Sequence, residues 1–254
     1  MFTTRAHVLD EDLYLRLVIP PGYLISELIL DHWPSQNSAI GIGVSGGLWA
    51  ESQVEFRGGR FPPELFPNAA LEFSLWHAVS YRDNAGCYGL PERPQESEHL
   101  TQRTWTRLGA IYTFWGTQAS AFLNAGIAED TDPLSAFRLD AGVRLRAEFP
   151  LRLHGYNVEE IFARRYWLLN ASYRFPIWPG QDRVHLEVLG DYARVDYVRD
   201  HALPRSGLAG VGVSLSVALT KRFSLVVGYG YGIDAPRNGG FGGHEVDTQF
   251  EFKQ

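Results

Sequence analysis

An all-β chain of antiparallel strands is the fold class this sequence predicts, and three observations carry the prediction. Apolar residues recur at every second position in segments spread through all 254 residues. No stretch sustains a helical period, and no run of about 18 apolar residues would make a membrane-crossing helix. The bulky apolar faces are set against faces of small or charged residues. A soluble sandwich does the reverse, keeping bulk inside and charge outside. An apolar wall facing lipid around a polar lumen accounts for both faces together. The expected architecture is therefore one transmembrane antiparallel β-barrel domain over residues 1–254, with about 12 strands.

Residues 1–11 read as an N-terminal extension. Alternating segments follow at 12–19, 23–32, 39–57, 70–82, 103–115, 119–129, 136–149, 166–178, 183–197, 208–220, 222–233 and 244–252; the third is long enough to divide in two. In 136–149, Phe137, Leu139, Ala141, Val143, Leu145, Ala147 and Phe149 form the face assigned to lipid. Its other face, Arg138, Asp140, Gly142, Arg144, Arg146 and Glu148, carries charge that no dry core would hold unpaired. From Trp167 the apolar positions are Trp167, Leu169, Ala171, Tyr173, Phe175 and Ile177. On 183–197, alternation sends Val184, Leu186 and Val188 outward, and His185, Glu187, Leu189 and Asp191 inward. In 208–220, Val211, Val213 and Leu215 oppose Gly210, Gly212 and Ser214. In 222–233, Phe223, Val227, Tyr229 and Tyr231 oppose Ser224, Gly228, Gly230 and Gly232. Aromatics near strand ends, including Trp167, Trp178, Tyr197, Phe223 and Tyr231, suit the two edges of a bilayer.

Read back from the C-terminus, the connections alternate: 234–243 long, 221 short, 198–207 long, 179–182 short, 150–165 long. Long loops are expected outside and short turns on the periplasmic side. The alternation then breaks, because the strand count puts the long segment 83–102 on the short-turn side and 116–118 on the other.

Composition excludes several functions. A formal net charge of −6 without any Lys/Arg block leaves no nucleic-acid footprint. Cys87 is the only cysteine, so neither an intrachain disulfide nor a cysteine-built zinc site can form. The histidines lack metal-ligand spacing, and no metal or other cofactor is expected. The first residues lack the basic start, apolar core and small-residue cleavage site of an export signal. "GVSGG" at 43–47 matches a serine-hydrolase elbow, but Ser45 sits within an alternating strand and not at a strand-to-helix turn. His77 and Ser80 are three apart, which puts them on opposite faces of a strand. No catalytic residue is assigned, and the chain is expected not to be an enzyme.

Two stretches carry a resemblance. The first is "HGYNVEEIFARRYWLLNASYRFPI" from His154 to Ile177, and the second is the close, "RNGGFGGHEVDTQFEF". From about residue 136 onward the chain resembles the bacterial surface-antigen superfamily, which includes the central barrel-assembly protein of the outer membrane and the transporters of two-partner secretion. The resemblance implies an Arg-Gly-Tyr/Phe motif in an external loop folded into the lumen. His154, Gly155 and Tyr156 stand at that motif, and Tyr173 to Pro176 match the strand element after it. Leu189 to Ala193 match the next strand's pattern, so Asp191 stands where the family has an acid that pairs with the loop's arginine. Two departures follow: His154 replaces that arginine, and Ala193 replaces a glycine. The partner of Asp191 is then either His154 or Arg152. An arginine pair is permanent, whereas a histidine pair is charged only while the imidazole is protonated.

The resemblance also implies a lateral seam between first and last strands, with Val246, Thr248, Phe250 and Phe252 on the last one, and a lumen carrying Asp191, Glu187 and Arg174. Family barrels usually follow periplasmic domains, and none is expected here. The expected function is assistance in inserting or transporting protein or lipid at the bacterial outer membrane. Outer-membrane lipids are the expected surroundings, with a periplasmic or membrane protein as candidate partner. A passive or loop-plugged pore is the alternative, and an outer-membrane hydrolase the second.

Overall fold

Most of the alternating segments become antiparallel strand in this computed structural model. It describes residues 2–10, 13–19, 24–31, 39–46, 50–58, 68–82, 87–90, 93–139, 151–157, 160–178, 183–199, 201–220, 223–237 and 239–252. Side chains are described from residue 68 onward, except 83–96 and 251–252, with a few earlier ones. The chain divides into two compact units. One holds Met1–Arg60, Leu71–Leu108 and Gly126–Ala136; the other holds Phe61–Ala70, Gly109–Ala125 and Phe137–Gln254.

The first unit runs β1 (Phe2–Asp10), β2 (Leu13–Ile19), β3 (Leu24–Asp31), β4 (Ala39–Gly46), β5 (Ala50–Gly58) and β6 (Ala69–Tyr81). Each strand pairs antiparallel with the next in chain order. Such pairing needs only short connections. A separate hairpin of β7 (Cys87–Leu90) and β8 (Arg93–Glu96) follows. The chain then returns beside β6 as β9 (Leu100–Phe114), where the Thr106 hydroxyl donates to the Ser74 carbonyl at 2.9 Å. On β6, Leu71, Leu75 and Tyr81 are exposed while Ser74, Trp76, Ala78 and Ser80 are buried, so one face is apolar and bare and the other is packed. Trp76 stacks on Trp105, ring centroids 5.6 Å apart, and Arg107 pairs with Glu72 at 2.8 Å.

At the end of β6 the buried Arg82 guanidinium meets Asp132. That carboxylate also accepts the Ser135 amide at 2.8 Å and the Glu98 amide at 3.0 Å. Burial alone would raise the Asp132 pKa. Hydrogen bonds from Ser135, Arg82 and Glu98 outweigh burial and hold it below the ordinary carboxylate value.

In the second unit, Trp115 and Gly116 make the turn from β9 into β10 (Thr117–Glu129), both with positive φ, 46° and 75°. A two-residue hairpin turn of this kind asks for that backbone at both positions, and Trp115 adopts it while 97 % exposed. After β11 (Phe137–Arg138) come β12 (Phe162–Pro176), β13 (Val184–Tyr197), β14 (Gly207–Ala218), β15 (Phe223–Arg237) and β16 (Gly240–Phe252). Strands β12 to β16 pair in order, antiparallel. β10 neighbours β12, with the Ser120 and Ser172 hydroxyls 2.8 Å apart. Trp167, Leu169, Tyr173, Val188, Val211, Val213, Val227 and Tyr229 are exposed on one face. Tyr166, Leu168, Asp191, Ala193 and Ser224 are buried on the other. The sequence alternation of the later strands is therefore what the structure shows: a bare apolar face and a covered polar one.

Several expectations change. Residues 1–11 are not merely an extension, since Phe2–Asp10 pair with β2. The 39–57 run divides into β4 and β5. The supposed loop 234–243 is mostly strand, because β15 continues to Arg237 and β16 starts at Gly240. The largest change concerns 136–149. Only Phe137 and Arg138 are strand there, and residues 140–150 lie outside the described ones. Phe137 and Leu139, assigned to lipid, are buried; Phe137 packs edge-on against the buried Tyr166, 4.9 Å between centroids. With β10 beside β12, one strand drops from the count between them. The two segments that broke the loop alternation change sides with it, Trp115–Gly116 joining the short turns and 82–99 the long connections, but the alternation does not extend to 59–68, which falls on the short-turn side at ten residues.

Candidate functional site

The segment 151–161 leads into β12 and lies on the polar face of β13 to β16. Of its described residues, Leu153, Tyr156 and Ile161 are completely buried, while Leu151 is half-buried and Asn157 is exposed. Small residues make that approach possible. Gly155 has φ +81°, and a Cβ built on it would sit 1.8 Å from the Gly232 backbone nitrogen. No side chain fits there. Gly210 and Gly230 leave similar room for His154, so the glycines on alternate positions of β14 and β15 form a trough for the loop backbone.

Polar contacts fix the loop in register. The Asp191 side chain is 1 % exposed. It accepts the His154 backbone N–H at 2.9 Å, the His154 Nδ1 position, and the Asn170 side-chain amide at 2.6 Å. Asn170 also donates to the Arg152 carbonyl at 2.8 Å, tying loop to strand a second time. The Arg152 guanidinium, 23 % exposed, reaches Glu245 at 3.0 Å and Asp247 at 2.8 Å on β16. Burial alone would lower the Arg152 pKa, but hydrogen bonds and attraction from Asp247 and Glu245 raise it above the ordinary value. Glu245 further accepts the Gly155 amide at 2.9 Å. Tyr156 donates to the Ala209 carbonyl at 3.3 Å, and burial, aided by the charge of Asp234, pushes its phenol pKa up. Past the turn, Glu160 pairs with Arg237 of β15.

Of the two candidates for Asp191, the structure selects His154. Arg152 serves the carboxylates of β16 instead. His154, Gly155, Tyr156, Arg152 and Asp191 thus come together as one cluster. Glu187 and Arg174 stand opposite each other in the β12–β13 register, each four residues along its strand from the register pair Asp191 and Asn170, and of these four only Asp191 and Asn170 join the cluster. Val246 and Phe250 are 74 % and 75 % exposed on β16, and Thr248 shares their face. Phe252 is placed by register opposite Phe223, its side chain outside the described ones.

Asn170, Glu245, Asp247, Glu160 and Arg237 were missed from the sequence. Alternation puts Glu245 and Asp247 opposite the Val246 face, so their inward direction was available; their role with Arg152 required the fold. Among the described residues no group of three potential metal ligands converges. Apart from the buried Arg152 Nε, which has no hydrogen-bond partner among the described residues, the cluster's donors and acceptors meet one another, and its chemistry is that of a clasp.

No protein-family model and no curated protein sequence matches the chain. Solved structures do. OccK11 (OpdR) of Pseudomonas aeruginosa aligns over 97 % of this chain and 67 % of its own, with 12 % identity and a TM-score of 0.55. The NanC porin aligns over 95 % of this chain and 100 % of its own, at 9 % identity and 0.46. BamA from Haemophilus ducreyi lacking POTRA domains 1–3 aligns over 94 % of this chain and 63 % of its own, at 10 % identity and 0.47. At such identities the likeness is one of fold, and the alignment to OccK11 carries it: the chain is an all-β antiparallel protein resembling outer-membrane β-barrels.

Proposed function

We propose that the chain forms a closed barrel in the bacterial outer membrane, with the 151–161 loop plugging its lumen, and that it assists the insertion or transport of protein or lipid there. The observation that carries this reading is the loop clasped onto the polar face through Asp191, Glu245 and Asp247. A pore left open for solutes has no need of a segment buried so completely in its interior. The bare apolar face supports immersion in lipid, since exposed apolar surface of this extent on a water-soluble monomer marks an interaction surface. The resemblance of 154–177 and 237–252 to the surface-antigen superfamily supports the role in insertion. Val246 and Phe250 are more exposed than Tyr229, the register partner of Val246, which suits a lateral seam along β16. In this reading the chain has no catalytic step, and a periplasmic or membrane partner supplies the clients.

The test is reconstitution. In planar bilayers the wild type should be nearly silent, and a variant lacking 152–160 should conduct steadily. Liposomes carrying the wild type should speed folding of a second outer-membrane barrel added unfolded, and the deletion should alter that rate. Equal conductance with and without 152–160 would remove the plug. No acceleration, with or without co-purified periplasmic proteins, would leave the second reading, a loop-plugged pore, which the same clasp supports.

A further inference from the structure

At the opposite end of β12 from the clasp lies a cavity of about 450 Å³ within the second unit. It is lined by Arg174, Arg183 and His185 together with the hydroxyl residues Thr113, Thr117 and Ser216. Among the described residues no carboxylate lines it. Glu187 stands opposite Arg174 in the strand register but outside the cavity wall, and among the described residues neither Arg174 nor Arg183 has an ion-pair partner. This is unlike the other end of the same strands, where Arg152 is met by two acids. It is also unlike the chain as a whole, whose net charge is −6.

The cavity is on the polar face. Arg174 alternates with the exposed Tyr173, and Ser216 with the exposed Leu215, so the side of the sheet that would meet lipid is the other one. Arg183 stands exposed at the rim, one residue before β13. Two guanidinium groups offer fork-shaped donor pairs matched to carboxylate or phosphate oxygens, and hydroxyls can donate to the remaining oxygens. The volume falls within the range of sites for small molecules.

We propose that this cavity is a binding site for a compact solute bearing two or more oxyanion groups, of carboxylate or phosphate type. Arg174 holds the solute from the wall and Arg183 from the rim. The inference rests on the barrel reading only in keeping this face away from lipid.

Inorganic pyrophosphate is the probe. The full chain, refolded in a zwitterionic detergent, is treated with phenylglyoxal with and without pyrophosphate, and modified arginines are counted by peptide mass spectrometry. Pyrophosphate should slow modification of Arg174 and Arg183 at least tenfold and leave exposed Arg164, ten residues along β12, unchanged. Calorimetry should show one saturable site, weakened at least tenfold in Arg174→Gln and Arg183→Gln and partly retained in Arg174→Lys. The protection experiment uses wild type alone, so it stands even where a variant fails to fold. No selective protection, or equal protection at Arg164, overturns the proposal. Protection by anionic-lipid micelles without any by pyrophosphate also overturns it and assigns the arginines to lipid headgroups. Heat-modifiable gel migration of the same sample reports on the barrel reading separately.

Discussion

Replacing Asp191 by asparagine should open the loop, and the size of the effect follows from what the carboxylate holds. Three donors converge on it: the His154 backbone N–H, the His154 ring and the Asn170 amide. An asparagine keeps one acceptor oxygen and turns an NH₂ toward those donors, so at least one contact becomes donor against donor. Hydrogen bonds to a charged group contribute about 1.5–3 kcal/mol each, and breaking a buried charged pair costs about 3–5 kcal/mol. Because the amide retains part of the network, about 3 kcal/mol is expected for Asp191→Asn, or roughly a hundredfold rise in the open loop population. His154→Ala removes the ring contact but not the backbone donor, and should cost about 2 kcal/mol. Their double variant should cost less than the sum, by about 1–2 kcal/mol, because both changes remove the same contact.

Arg152 gives the control. Its side chain meets Glu245 and Asp247, while the link to Asn170 uses its backbone carbonyl, which alanine keeps. Arg152→Ala should therefore add to Asp191→Asn within about 0.5 kcal/mol. The assay is the rate of limited proteolysis within 151–161 on refolded protein, with heat-modifiable migration confirming that the sheet remains folded. Coupling of Asp191 to Arg152 as strong as to His154 would refute the assignment of partners. An unchanged cleavage rate in Asp191→Asn would show that the carboxylate does not hold the loop at all.

Other outcomes follow from the same structure. Gly155→Ala should undock the loop as fully as the 152–160 deletion, since φ is positive and the added carbon meets the Gly232 backbone; wild-type protease resistance would contradict this. The folded-state pKa of Asp132 lies below its unfolded value, so its pairing contributes stability above the ordinary carboxylate pKa and loses it as pH falls through the lowered one. Protection of the Arg82 and Ser135 amides, taken relative to the intrinsic exchange rate at each pH, should accordingly fall on acidification, and in Asp132→Asn it should be low at every pH. In bilayers of brominated lipid, a single-tryptophan variant keeping Trp167 should be strongly quenched and one keeping Trp76 should not; equal quenching would refute the assignment of faces.

The faces of β12 to β15 were legible because alternation depends only on each strand's own residues. Strand order was less legible, and 136–149 shows why. Its alternation says that one side differs from the other but not which neighbour it joins, and Phe137 is buried against Tyr166 despite looking like a lipid-facing residue. β1 was missed for a related reason: Phe2–Asp10 alternates weakly, with threonines, arginine and histidine among few apolar residues, and only its pairing with β2 defines it. At the site, Asp191 was found by direction alone. The choice between His154 and Arg152 was not, because two basic side chains two residues apart in a loop have no fixed direction until the chain is docked. The carboxylates that claim Arg152 come from the end of the chain, 93 residues away for Glu245.

The glycine trough has a consequence for how this chain tolerates change. Along β14 and β15 the exposed face asks only for something apolar, so Val211, Val213, Val227 and Tyr229 should accept one another's side chains at little cost. One position away, at Gly210, Gly230 and Gly232, a single added methyl collides with the backbone or side chain of residues 154–156. A deep mutational scan of these two strands should therefore alternate between permissive and forbidding positions, with the period of the sheet itself. In a variant lacking 152–160 the forbidding positions should relax, since the barrier they present belongs to the loop and not to the strand.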